Sequence, residues 1–120
     1  MLLSIIAGMR AARRIGISER RAKAGDLEGV MKVCSEVLTI LGAPKVDLRM
    51  PTCRSAASLA LWGYCRAARQ LERRSEIHQM LSRWRPRYLE WMKAPMGQHE
   101  TDYLSWCEET FSVLSRDPQP

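Results

Sequence analysis

The chain has 120 residues, 46% hydrophobic and 27% charged, a balance that suits one globular domain and excludes both a disordered chain and two independent cores. Arginine and lysine total 19 against 13 acids, a formal charge of +6, and arginine supplies most of it. A guanidinium-rich surface suits the carboxylates or phosphates of an acidic partner, although arginine standing in for lysine on solvated faces gives the same excess.

Cys34, Cys53, Cys65 and Cys107 are widely and unevenly spaced with no C-x-x-C pair, which points to reduced core thiols rather than a disulfide framework or a structural zinc site. No run reaches the roughly 18 apolar residues needed to span a bilayer. The apolar start Leu2 to Ile6 precedes its arginines, the reverse of a secretory signal. A soluble, non-secreted protein is expected.

Residues 1–18 carry Ser4, Arg10, Arg13, Arg14 and Ser18 with no acid, the character of a mitochondrial targeting helix or a docking helix. Leu2, Leu3, Ile5, Ile6 and Met9 form a broad apolar face there, either on a separate first helix or at the start of the helix-compatible stretch Ala11 to Ala24. Gly25-Asp26 then folds the chain back as an antiparallel pair. From Asp26 to Gly42 the residues Leu27, Val30, Met31, Cys34, Val37, Leu38 and Leu41 repeat on one helical face opposite Lys32, Ser35 and Glu36. Asp26 is the expected N-cap, Gly42 the expected left-handed exit, and Pro44 prevents continuation.

Ala43 to Pro51 reads as a connector. Thr52 is a candidate N-cap for a helix with Ala57, Leu61, Tyr64, Ala68 and Leu71 on one face. The stripe lapses between Gln70 and Glu76 and resumes with Ile77, Leu81 and Trp84, which predicts a turn near Gln70. Pro86 suits the first position of a further short helix with Tyr88, Leu89, Trp91 and Met92, stopped by Ala94-Pro95. A final helix starts near His99, places Glu100 and Asp102 in its first turn and buries Tyr103, Leu104, Cys107, Phe111 and Leu114. No segment shows convincing strand alternation. Residues 1–115 are expected to form the domain and 116–120 a tail.

Three segments share one grammar: helix, polar or small-residue turn, helix, proline. Ala22-Lys23-Ala24-Gly25-Asp26-Leu27-Glu28, followed by a helix and Gly42-Ala43-Pro44, resembles the turn and second helix of a tetratricopeptide or pentatricopeptide repeat. A second copy runs through Leu59, Gly63-Tyr64-Cys65-Arg66-Ala67-Ala68-Arg69, Leu71-Glu72 and Met80 to Arg85-Pro86, and is similar to a pentatricopeptide unit. A third, Gly97-Gln98-His99-Glu100 into Trp106-Cys107-Glu108-Glu109, matches only a turn and second helix. The resemblance covers roughly residues 12–115 and departs from the repeat pattern at the long Pro44–Pro51 linker, at an insertion near Gln70 and in a truncated third first helix. It implies an all-α stack of antiparallel hairpins, five to six helices wound as a short right-handed solenoid. In its RNA-reading members a polar residue early in the first helix helps select the base, and Ser58 is the nearest equivalent.

Catalysis needs a positioned acid, base or nucleophile, and His78 and His99 are the only histidines. Neither lies in a catalytic or metal-binding motif, and no phosphate-binding glycine loop occurs. No enzyme activity, cofactor or metal is expected. Of the four tryptophans (Trp62, Trp84, Trp91, Trp106), most should be core and one or two should sit on a protein-binding rim. The sharper candidate is an arginine set, Arg66, Arg69, Arg73, Arg74, Arg83, Arg85 and Arg87. Arg66, Arg69 and Arg73 share a face if their helix is unbroken, which would make a basic edge for RNA phosphates or acidic protein; pairing to Glu72 and Glu76 on a solvated face is the alternative.

The reading that results is a non-catalytic subunit of a larger organellar complex. A respiratory complex, the ATP synthase or the mitochondrial ribosome fits best, on the matrix side, with a cytoplasmic location otherwise. An RNA-binding pentatricopeptide-like factor and a bacterial tetratricopeptide-like chaperone or adaptor are the alternatives.

Overall fold

The computed structural model, which describes residues 2–116, consists of α1 (Leu2–Lys23), α2 (Leu27–Leu41), α3 (Pro51–Gln70), α4 (Arg74–Trp91) and α5 (Gln98–Arg116). No strand occurs among the described residues. The chemistry marking the first turn holds: Gly25 takes φ 76°, and the Asp26 side chain accepts a 2.9 Å bond from the Gly29 amide, capping α2. Every residue of the expected α2 stripe is buried except Leu27, which is half-buried. Arg14 of α1 bonds Glu36 of α2 at 2.9 Å, tying the two arms of this antiparallel pair.

Other boundaries differ from the sequence reading. Gly42 caps α2 at φ −81°, not in the left-handed region; its amide simply continues the ladder to the Leu38 carbonyl. Met50, not Thr52, caps α3, because Pro51 occupies the first helical position and moves the start two residues upstream, with no side-chain cap. The separate helix from Pro86 does not exist. Pro86 lies inside α4, since Ile77, Leu81, Trp84, Tyr88 and Trp91 form one unbroken buried stripe. Burying two aromatic rings, each worth about 2–3 kcal/mol, exceeds the roughly 3 kcal/mol cost of an internal proline. The described residues therefore form five helices, and α5 packs antiparallel on α4. Arg116 belongs to α5 rather than to a tail, and residues 117–120 lie outside the described residues.

The expected turn after Gln70 is present, with Glu72 at φ 58°. It brings α4 back beside α3, the central helix, which packs against all four others. Its alanines explain this: Ala56, Ala57, Ala60, Ala67 and Ala68 are buried on several sides and let neighbours approach closely. Each helix touches the next in sequence, and α1, α3 and α5 also touch along one row. All four cysteines are free and buried within this core.

Candidate interaction surfaces

The surface begins with an inversion in α1. Ser4, Ala7, Gly8, Ala11 and Ser18 face inward, and a Cβ on Gly8 would stand 3.5 Å from both the Cys53 sulfur and the Thr52 methyl of α3. Ser4 adds two bonds, accepting the Asp47 amide through its hydroxyl at 2.7 Å and the Cys53 thiol through its carbonyl at 3.3 Å. A helix seated by its small side must turn its large side outward. Leu2, Leu3, Ile5, Ile6 and Met9 are all exposed, Met9 to 68%. Arg10 and Arg13 follow, exposed and without an acidic partner among the described residues. The apolar face read from the sequence is real, but it points away from the core.

The seven arginines do not form one edge. The chain breaks between α3 and α4, so Arg73 leaves the face of Arg66 and Arg69; it pairs with Glu28 of α2 and lies 3.8 Å from the Met31 sulfur. Arg85 is also engaged internally. It grips both oxygens of Glu108, at 2.7 Å through Nη2 and 2.9 Å through Nε, and lies over the Phe111 ring. Arg66 lies over Trp62, its guanidinium 4.6 Å from the ring centroid. Arg83 and Arg87, one turn apart, border a shallow groove opposite Ser35 and Thr39, with Arg87 over Trp84. Arg69 and Arg74 line a groove of about 740 Å³ with Glu72, Trp106, Glu109 and Val113. The arginines thus meet as two separate pairs.

Electrostatic fastening occurs between helices. Arg54 Nε donates to Glu100 Oε2 at 2.9 Å, joining α3 to α5. The buried Tyr88 hydroxyl donates to Glu108 Oε1 at 2.8 Å, joining α4 to α5. The Arg85 bonds hold the Glu108 carboxyl below the usual carboxylate range, whereas burial, and then the bond to Glu108, push the Tyr88 phenol up. None of these partners was visible from local spacing, because they are 20 to 46 residues apart.

His78 stacks on Phe111, with ring centroids 5.1 Å apart, and Ser115 lies at 3.4 Å from its Nε2. His99 stacks on Tyr103 in the first turns of α5, twelve residues or about 18 Å along the helix from Phe111. Burial raises the Cys34 thiol to about 11, despite the opposing Ser18 hydrogen bond; contact with Cys107, then burial, raises Cys65 further. Both thiols therefore stay protonated and poorly nucleophilic at neutral pH. Among the described residues no group of three or more His, Cys, Asp or Glu side chains is placed to hold a metal ion. No described helix is long and apolar enough to cross a membrane.

Ser58 is fully buried and its hydroxyl donates to the Arg54 carbonyl at 2.9 Å, so it does not offer the polar surface position that the resemblance assigned to it. Trp84 and Trp91 are buried, while Trp62 and Trp106 are half-buried on the surface. Trp62 lies against Tyr103, with centroids 4.6 Å apart. Compared with models of known families, with curated proteins and with solved structures, the chain matches none.

Proposed function

We propose that this protein is a non-catalytic interaction subunit, a short stack of helical hairpins whose outer surfaces hold neighbours in a larger assembly. The observation that carries this reading is the inverted α1, which seats itself by Ser4, Ala7, Gly8 and Ala11 and leaves Leu2, Leu3, Ile5, Ile6 and Met9 in water. Covering the area these side chains still expose returns about 1 to 2 kcal/mol each, a driving force this chain does not use for its own core. The packing of each helix on its sequence neighbour, with a second row through α1, α3 and α5, supports a right-handed solenoid of the tetratricopeptide or pentatricopeptide kind. The acid-free, arginine-bearing residues 1–18 favour an organellar, mitochondrial setting. Their integration into the fold favours a docking helix over a discarded one.

A photo-crosslinking residue in place of Ile6 or Met9, in the tagged chain expressed in its own cells, tests the reading. Discrete crosslinked products within a particle larger than the chain are expected, and mass spectrometry then names the assembly. A chain that migrates at its own mass with neither site crosslinked would contradict it.

RNA binding is the second reading, favoured by Arg83 and Arg87 along the groove facing Ser35 and Thr39. Filter binding to mixed single-stranded RNA across a salt series separates the two. Two or three phosphate contacts would give saturable binding with a log–log salt slope of about −1.5 to −2, whereas arginines serving protein neighbours would give none.

A further inference from the structure

The two outermost helices carry opposite charge and matching stripes. α1 holds six basic residues and one acid; α5 holds four acids and one arginine. Both pack against α3 and neither touches the other, so the charge is divided between two separate helices. On α1, Leu2, Ile6, Met9 and Arg13 follow one another at helical intervals along the exposed side. On α5, Asp102, Trp106, Glu109 and Val113 do the same with the same spacing.

The core-facing acids of α5 are already engaged, Glu100 with Arg54 and Glu108 with Arg85. Asp102 and Glu109 are exposed and form no ion pair among the described residues; Asp102 accepts only the neutral Gln98 amide, and Glu109 shares its groove with Arg69 and Arg74. Arg10 and Arg13 are the corresponding unpartnered cations beside the α1 patch. Val113 is 52% exposed and is the one large aliphatic side chain on α5 so exposed.

We infer that the α1 stripe of one copy docks on the α5 stripe of a second copy, antiparallel and head to tail. This names the partner for the surface proposed above and rests on that reading. In the antiparallel register Arg13 stands opposite Asp102, Met9 opposite the half-buried Trp106, and Leu2 opposite Val113. Ile6 lies against the aliphatic stem of Glu109 in the same register. A symmetric α1–α1 contact is disfavoured, because residues 2–18 contain three arginines and no acid, so Arg10 and Arg13 would meet only their own kind. A head-to-tail contact between two different faces builds rings or open chains, so association proceeds beyond the dimer as concentration rises.

The purified full chain and two surface variants, Ile6→Glu and Val113→Arg, test the inference by light scattering after size exclusion. Both positions are exposed, so circular dichroism of each variant should match the parent. The parent's mean mass should rise with concentration beyond that of a dimer and fall as salt is added. Each variant alone should remain monomeric. The two mixed should form a one-to-one dimer and nothing larger, since each retains the face the other lacks.

A parent that stays monomeric at its highest soluble concentration overturns the inference. So does a parent whose association survives both substitutions, or a mixture that fails to pair. Binding of the monomeric parent to vesicles of anionic lipid, without self-association, would assign the α1 face to a membrane surface and also overturn it. Where the Ile6 crosslinker still captures a different protein in cells, the interaction-subunit reading stands while the second-copy partner falls; where it captures nothing, both fall.

Discussion

Arg54 and Glu100 form the most shielded ion pair described, with side chains only 16% and 12% exposed, and they join the central helix to the last one. Removing one partner leaves the other largely desolvated. Arg54→Ala should lower unfolding free energy by about 3 kcal/mol, while the paired change Arg54→Met with Glu100→Leu should recover most of it. Urea unfolding of the parent and the two variants checks this; a single substitution costing no more than a surface change would show that the pair is solvated.

Arg85, Tyr88 and Glu108 make stability depend on pH at both ends. The Glu108 carboxyl is lowered in the folded state, chiefly by Arg85, so its contribution is present above the unfolded-state value near 4.5 and disappears as pH falls through the lower folded value. Tyr88 is raised, first by burial, so its contribution is present below 10 and disappears as pH rises beyond that. Thermal melts from pH 7 to 2 should show an acid-side loss that Glu108→Gln flattens. Tyr88→Phe should flatten the loss above pH 10 while costing about 1 kcal/mol at neutral pH through its lost hydrogen bond.

Gly29 and Gly8 respond in opposite senses to alanine. Helix propensity alone favours both changes by about 1 kcal/mol. A methyl on Gly29 would collide with the capping Asp26 carboxylate and stand 2.8 Å from the Arg21 Cδ, so the cap must be displaced. On Gly8 it meets Cys53 and Thr52 at an ordinary 3.5 Å. Gly29→Ala should therefore lose about 1 kcal/mol and Gly8→Ala should gain a comparable amount. Their denaturant midpoints, moving apart from the parent, are the readout.

Glu72 holds φ 58° at the α3–α4 turn, a left-handed conformation that costs a residue with a Cβ about 1–2 kcal/mol. Glu72→Gly should raise stability by up to about 1 kcal/mol after glycine's own entropy loss. No gain, with α3 and α4 unchanged by circular dichroism, would mean that the Glu72 side chain offsets the strain.

Where a boundary is set by local chemistry, the sequence was legible. Asp26 marks α2 because a cap acts over three residues, and the phase change after Gln70 marks the α3–α4 turn because it changes which face is apolar. Pro86 misled because proline was read as a stop, although Trp84, Tyr88 and Trp91 carry the earlier stripe straight through it. The inversion of α1 was hidden for a different reason. Periodicity identifies an apolar face but not its destination, and only the fit of Gly8 against Cys53 and Thr52 shows that the small face is the buried one. The arginine set failed as a single edge because Arg73 and Arg85 find their acids on other helices, at separations local spacing does not report.

The most direct test of the account is the unfolding free energy of Ile6→Gln with Met9→Gln, measured in dilute solution where the chain is alone. Residues reserved for a neighbour contribute nothing to the isolated fold, so the expected change is within about 0.5 kcal/mol of the parent. A loss of about 3 kcal/mol or more, the signature of two buried side chains made polar, would mean that this face packs into the protein's own core and that the proposed interaction surface does not exist.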